Sequence, residues 1–176
     1  CEGKAWAESQ GFAYVPRGKR TIQDLMDEYG EDFLVYSSRG PQIDRPEGSH
    51  FFSLNMAELR IQNLRKGQRD HLLESLMGVK EYDLRPAAAQ PPISVLDCTC
   101  GFGADAAVAS LGLPAGSRVD ALEVSPLLEA VTAWGFSHFV HKKDDVTAAL
   151  RRISLRCGDY RDYLLSDDGP VYDVLY

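Results

Sequence analysis

The run Ser94-Val-Leu-Asp-Cys-Thr-Cys-Gly-Phe-Gly-Ala-Asp105 reads as a buried strand, a tight glycine turn and the start of a helix. Val95 and Leu96 supply the apolar interior of the strand, and Asp97 marks its carboxyl end. Gly101 and Gly103 let the backbone turn with no Cβ in the way of a ligand. A Cβ added at Gly103 is therefore expected to press on whatever binds there. Ala104 and Asp105 open a helical pattern continued by Ala106, Ala107, Val108, Ala109 and Leu111. Ala106 stands where the third glycine of a dinucleotide fingerprint would allow close packing of helix on strand. The shape is that of a nucleotide pocket.

Downstream the alternation continues. Arg118–Glu123 is a second strand, and Pro126 stands at a helix start, where its missing N–H costs nothing. That helix runs to about Trp134. Asp144–Arg152 is a further helix, followed by the strand Ile153–Arg156, and Tyr172–Tyr176 is a fourth strand. Strand and helix in alternation predict an α/β fold with a parallel sheet. The sheet stops on a strand that belongs in its centre, so the expectation is a domain truncated after its fourth strand.

Upstream, the Pro/Ala-rich stretch 84–92 reads as an extended connector between the sheet domain, residues 93–176, and a small α+β region, residues 1–83. In that region Lys4–Gln10 is the end of a helix and Phe12–Val15 a brief strand. Thr21 caps a helix through Tyr29, with Asp24 at the capping-box position. Asp32–Ser37 reads as a strand, followed by a Gly/Pro turn and a second strand at Ser49–Ser53. Helices are expected from Asn55 to Asn63 and from Gln68 to Met77.

Composition narrows the function classes. The chain has 176 residues and a net charge of -7, which argues against a non-specific nucleic-acid coat. No apolar run approaches the ~20 residues of a membrane helix. The four cysteines show no disulfide framework and no zinc spacing. Cys98 and Cys100 read as small, reduced space-fillers of a cytoplasmic protein, and no metal is expected.

Ligands of open parallel sheets sit beyond the carboxyl ends of the strands. Asp97, the glycine turn, Asp105, Glu123 and the run Cys157-Gly-Asp-Tyr160 all fall there. Glu123 stands about 20 residues after the glycines, where a carboxylate can accept from both ribose hydroxyls. Asp159 is placed to take the exocyclic amine of an adenine. An adenosine-like ligand fits these acceptors. NAD, in a Rossmann oxidoreductase, is the rival, although dehydrogenases usually lack an acidic residue at the position of Asp97.

Val-Leu-Asp-Cys-Thr-Cys-Gly-Phe-Gly-Ala-Asp, followed by Leu-Glu-Val-Ser-Pro, resembles motifs I and II of class I S-adenosylmethionine-dependent methyltransferases. The likeness is nearest to the branch containing the small-subunit ribosomal RNA guanine-N2 methyltransferases, and runs from about Phe51 to Tyr176. It implies a Rossmann-like methyltransferase sheet and S-adenosylmethionine as cofactor. Residue by residue, it assigns Asp97, Gly101 and Gly103 to the cofactor turn. Ala104 and Asp105 match the family's Arg-Asp pair, Glu123 and Val124 its Glu-Arg pair, and Asp159 and Tyr160 its contact after the third strand. Ala104 and Val124 replace arginines and leave backbone contacts there. The resemblance also implies RNA or the small ribosomal subunit as partner. The family's catalytic Asp-Pro pair would follow Tyr176, so no catalytic residue is named. A methyltransferase-like module that binds without catalysis remains an alternative.

Other residues have two readings. Arg60, Arg65, Lys66 and Arg69, with Arg17, Lys19 and Arg20, can track a phosphate backbone or form solvated faces. Phe51 and Phe52 can stack on a base or pack in the core. Asp70 and Glu74 read as solvated helix charges, and Trp134 and Phe136 as packing.

Overall fold

A computed structural model of the chain describes residues 2–30, 33–78, 90–166 and 169–176. The chain begins with α1 (Glu2–Ser9) and α2 (Ile22–Tyr29). The expected capping box opens α2: the Asp24 amide donates to Thr21 Oγ1 (3.1 Å), and the Thr21 amide donates to Asp24 Oδ2 (2.7 Å). Phe12–Val15 is not a strand. Among the described residues no strand pairs with it. Instead the Phe12 amide closes back on the Ala7 carbonyl (2.8 Å), with its ring beside Trp6.

Three antiparallel strands follow, β1 (Leu34–Ser37), β2 (Gly40–Arg45) and β3 (Gly48–Phe51), in the order β1-β2-β3. The expected Gly/Pro turn is in fact the central strand. Gly40 and Pro41 only open it, and beyond them Ile43 and Asp44 are buried. Next come α3 (Asn55–Arg65) and α4 (His71–Leu76). Asp70 caps α4, accepting from the amides of Leu72 (3.1 Å) and Leu73 (3.3 Å), so the helix starts later than its apolar pattern suggested. Positions 84–89 of the expected connector lie outside the described residues.

The second half alternates β4 (Ser94–Asp97), α5 (Ala104–Gly112), β5 (Arg118–Glu123), α6 (Pro126–His138) and α7 (Asp144–Arg151). It ends with β6 (Ser154–Cys157), α8 (Tyr160–Leu164) and β7 (Val174–Leu175). The four strands form one parallel sheet in the order β6-β5-β4-β7. This is the expected α/β architecture. β7 is shorter than the expected strand, yet backbone hydrogen bonds to β4 and the turn after it continue from Asp173 to Tyr176. The short helix α8 was not foreseen.

One buried cluster runs through both halves. Val95, Val108, Ala121, Val131 and Leu150 of the parallel sheet and its helices pack with Ile43, Phe52, Ile61 and Leu73 from upstream. Phe52 meets Phe136 and Phe139 edge-on and lies against Gly135, where any Cβ would collide with its ring. This is core packing, not a base-stacking platform. Among the described residues no helix is long and apolar enough to cross a membrane.

Candidate functional site

The residues of the candidate site gather at the carboxyl ends of β4 and β5. β4 ends on Asp97, which is 2% exposed. The chain then leaves the sheet through residues 98–103, stitched on every side. The Cys98 amide donates to the Tyr176 carbonyl (2.7 Å), and the Cys100 amide to the Leu122 carbonyl (2.9 Å). From α6, Thr132 Oγ1 donates to the Gly101 carbonyl (2.8 Å). The turn is thereby fixed before any ligand arrives.

The two glycines have different jobs. Both lie in the left-handed region, Gly101 at φ 56 and Gly103 at φ 74. A Cβ on Gly101 would meet nothing within 4 Å. A Cβ on Gly103 would enter the Phe136 ring. A Cβ on Gly103 would thus press on Phe136 rather than on a ligand: Gly103 lets α5 pack on α6, and the Cβ position of Gly101 faces open space. The sequence could not separate them, because the obstructing ring comes from a helix one strand further on.

Glu123 ends β5, buried, and its carboxylate bridges two amides: Gly101 N–H to Oε2 and Ser125 N–H to Oε1, both at 2.9 Å. The acidic strand end and the glycine turn thus touch, as their positions required. Each oxygen keeps a lone pair for a further donor. Val124, next along, is 65% exposed and offers an apolar surface beside that carboxylate.

Asp97 accepts from the Thr99 amide (3.0 Å) and faces the Tyr176 hydroxyl (3.4 Å). Burial pushes its carboxyl up to about 6, and the charges of Asp105 and Glu123 push the same way, against the two hydrogen bonds. The charges of three carboxylates are thus felt together at the end of β4. Burial raises the Cys100 thiol far above its ordinary value and also raises Cys98, so both are protonated packing groups. Among the described residues no group of three or more possible ligands could hold a metal ion.

Ala104 is half-buried as the first residue of α5, and Asp105 sits in its first turn. Asp105 is engaged by Arg60 of α3. Asp159 follows β6, whose Cys157 pairs with Glu123, so it lies on the same edge of the sheet. Its carboxylate is not free for an amine in this state: it caps α8 and is held by the Arg161 backbone (2.8 Å) and guanidinium (2.6 Å). That guanidinium holds the carboxyl below its ordinary value. Tyr160 opens α8, partly exposed.

The basic cluster reads differently in three dimensions. Arg60 pairs with Asp70 and Asp105, Arg65 with Asp145, Arg69 with Glu74, and Arg20 with Glu28. Asp70 and Glu74 are thus ion-pair partners, and Asp70 a helix cap, rather than solvated charges. Phe51 is exposed under the Arg39 guanidinium, 5.7 Å from its ring centre. Sequence reasoning missed Thr132, Tyr176 and the pairing of Arg60. The distances along the chain gave no signal for them.

No protein-family model matches the chain. It is 25% identical over 174 residues to an uncharacterized protein, YpiP, of Bacillus subtilis, covering 98% of this chain and 63% of that one. The chain thus spans less than two thirds of that relative's length. Among solved structures it is similar to a SAM-dependent methyltransferase from Neisseria gonorrhoeae. The TM-score is 0.52 at 17% identity, over 81% of this chain and 54% of the other. The fold is that of a Rossmann-like methyltransferase. In this chain the turn after β4 and the end of β5 are adjacent, with Gly101 and Glu123 hydrogen-bonded across that junction.

Proposed function

We propose that the chain binds S-adenosylmethionine and serves a cytoplasmic RNA methyltransferase, with the exocyclic amine of a ribosomal RNA guanine as acceptor. The observation that carries the cofactor reading is the joined pair Glu123–Gly101. A buried carboxylate with free lone pairs stands over a glycine whose Cβ position is open. The donor set fits the group: a ribose acceptor at Glu123, an apolar face at Val124, and carboxylates at Asp97 and Asp105 for positive charge. Gly101, Gly103 and Ala104 hold the turn, and Asp159 and Tyr160 border the adenine end. The RNA acceptor rests on the motif resemblance, since the arginines of the basic cluster are largely matched by carboxylates.

Bound S-adenosylmethionine supplies a methyl group activated by a sulfonium centre. The residues of this chain bind and orient. Glu123 fixes the ribose, Val124 excludes water from one face of the base, and the Asp97 carboxylate favours a cationic ligand from its own buried position. Pre-organisation of this kind is the main contribution a protein makes to an in-line displacement. Incubation of the whole protein with methyl-tritiated S-adenosylmethionine and naked small-subunit ribosomal RNA is expected to put label into guanosine N2. Label in protein or small molecules, with RNA unlabelled, would remove the acceptor assignment.

A further inference from the structure

Arg60 is the cation that α3 carries to the acidic end of the parallel sheet. Its Nε and Nη2 are held by the two oxygens of Asp70, at 2.8 and 2.9 Å. The Asp70 side chain is only 9% exposed and is fixed in turn as the cap of α4. The remaining arm, Nη1, reaches Asp105 at 2.5 Å. Asp105 is 55% exposed and lies two residues past the glycine turn. One side of the guanidinium is therefore anchored and the other side is shared with an accessible carboxylate. Asp105 lies in the first turn of α5, which opens directly from the glycine turn that Glu123 holds through the Gly101 amide, so the pair flanks that turn.

We infer that Arg60 and Asp105 together receive the zwitterionic amino-acid tail of the cofactor, Asp105 taking the α-ammonium and Arg60 the α-carboxylate. This rests on the reading of the site as an S-adenosylmethionine site. An amino-acid zwitterion is an ion pair of fixed length, and an adjacent Arg–Asp pair is its complement. An exposed pair contributes little to stability, so opening it to admit the tail costs little. Asp70 meanwhile keeps the guanidinium from swinging away, which lowers the entropy lost on binding. Asp97, Asp105 and Glu123 would all repel a carboxylate, and Arg60 offsets them. The consequence is that the helical segment upstream of the sheet completes the cofactor site.

The test compares two ligands by titration calorimetry. S-Adenosylhomocysteine carries the tail, and 5′-methylthioadenosine is the same nucleoside thioether without it. Arg60→Gln is expected to weaken S-adenosylhomocysteine at least tenfold and to change 5′-methylthioadenosine less than twofold. A measurement on the unaltered protein covers the case in which that variant does not fold. There, decarboxylated S-adenosylhomocysteine is expected to bind at least tenfold more weakly than S-adenosylhomocysteine. An unchanged ratio of the two affinities in a folded Arg60→Gln, or equal binding of the decarboxylated ligand, would overturn the inference and leave Arg60 a strut between helices. If neither S-adenosylhomocysteine nor 5′-methylthioadenosine binds the unaltered protein, the site reading falls and the inference with it.

Discussion

Asp97 is a carboxylate held where ionisation is unfavourable, and its cost to the fold can be measured. Its folded value is about 6 against an ordinary 3.8. Between those values the folded chain keeps a proton that the unfolded chain releases. Stability from this group is therefore full below pH 4, falls as pH rises to about 6, and is flat above. Asp97→Asn keeps an oxygen for the Thr99 amide and removes the charge. It is expected to raise stability at pH 8 by about 1–3 kcal/mol and to change little at pH 4, as denaturant melts would report. A cationic ligand prefers the ionised carboxylate, so affinity for S-adenosylmethionine should rise through pH 6 and lose that rise in Asp97→Asn. At the glycines, Gly101→Ala strains only the backbone, at roughly 1 kcal/mol, and obstructs the ligand. Gly103→Ala must also displace Phe136, at about 1–3 kcal/mol more. Melting and calorimetry together should show Gly101→Ala folded but binding at least tenfold more weakly, and Gly103→Ala with the larger loss of stability.

The elements show which sequence signals were sufficient. Strand-turn-helix at 94–105, the strand ending on Glu123 and the Ser125–Pro126 helix start were legible, because periodicity and capping chemistry are local. β2 was not, because Gly40-Pro41 mimics a turn and its burial is supplied from α6, whose Trp134 rests on Gly40. α8 hid for the opposite reason: Asp159, read as a ligand contact, is its cap. Helix packing makes a sharper prediction at Gly135. Gly135→Ala drives a methyl into the Phe52 ring and should lower stability by about 1–3 kcal/mol in thermal melts. Thr21→Ala, on the exposed cap of α2, should cost about 1 kcal/mol and leave ligand binding unchanged.

At the scale of the whole molecule, the upstream helices and the parallel sheet share a core, and Arg60 ties them at the edge of the site. The site's acidic residues were legible in the sequence because each ends a strand or opens the turn or helix that follows one. The fate of the basic cluster was not, because Asp145 and Asp105 reach Arg65 and Arg60 only through the fold. What remains at the carboxyl ends of the strands is an acidic cradle suited to a positively charged nucleoside. Calorimetric titration with S-adenosylhomocysteine, and in parallel with NAD, tests this most directly. The account predicts saturable binding of S-adenosylhomocysteine at one site, weakened by about 1–3 kcal/mol in Glu123→Ala, and no heat with NAD. Binding of NAD with none of S-adenosylhomocysteine would contradict it.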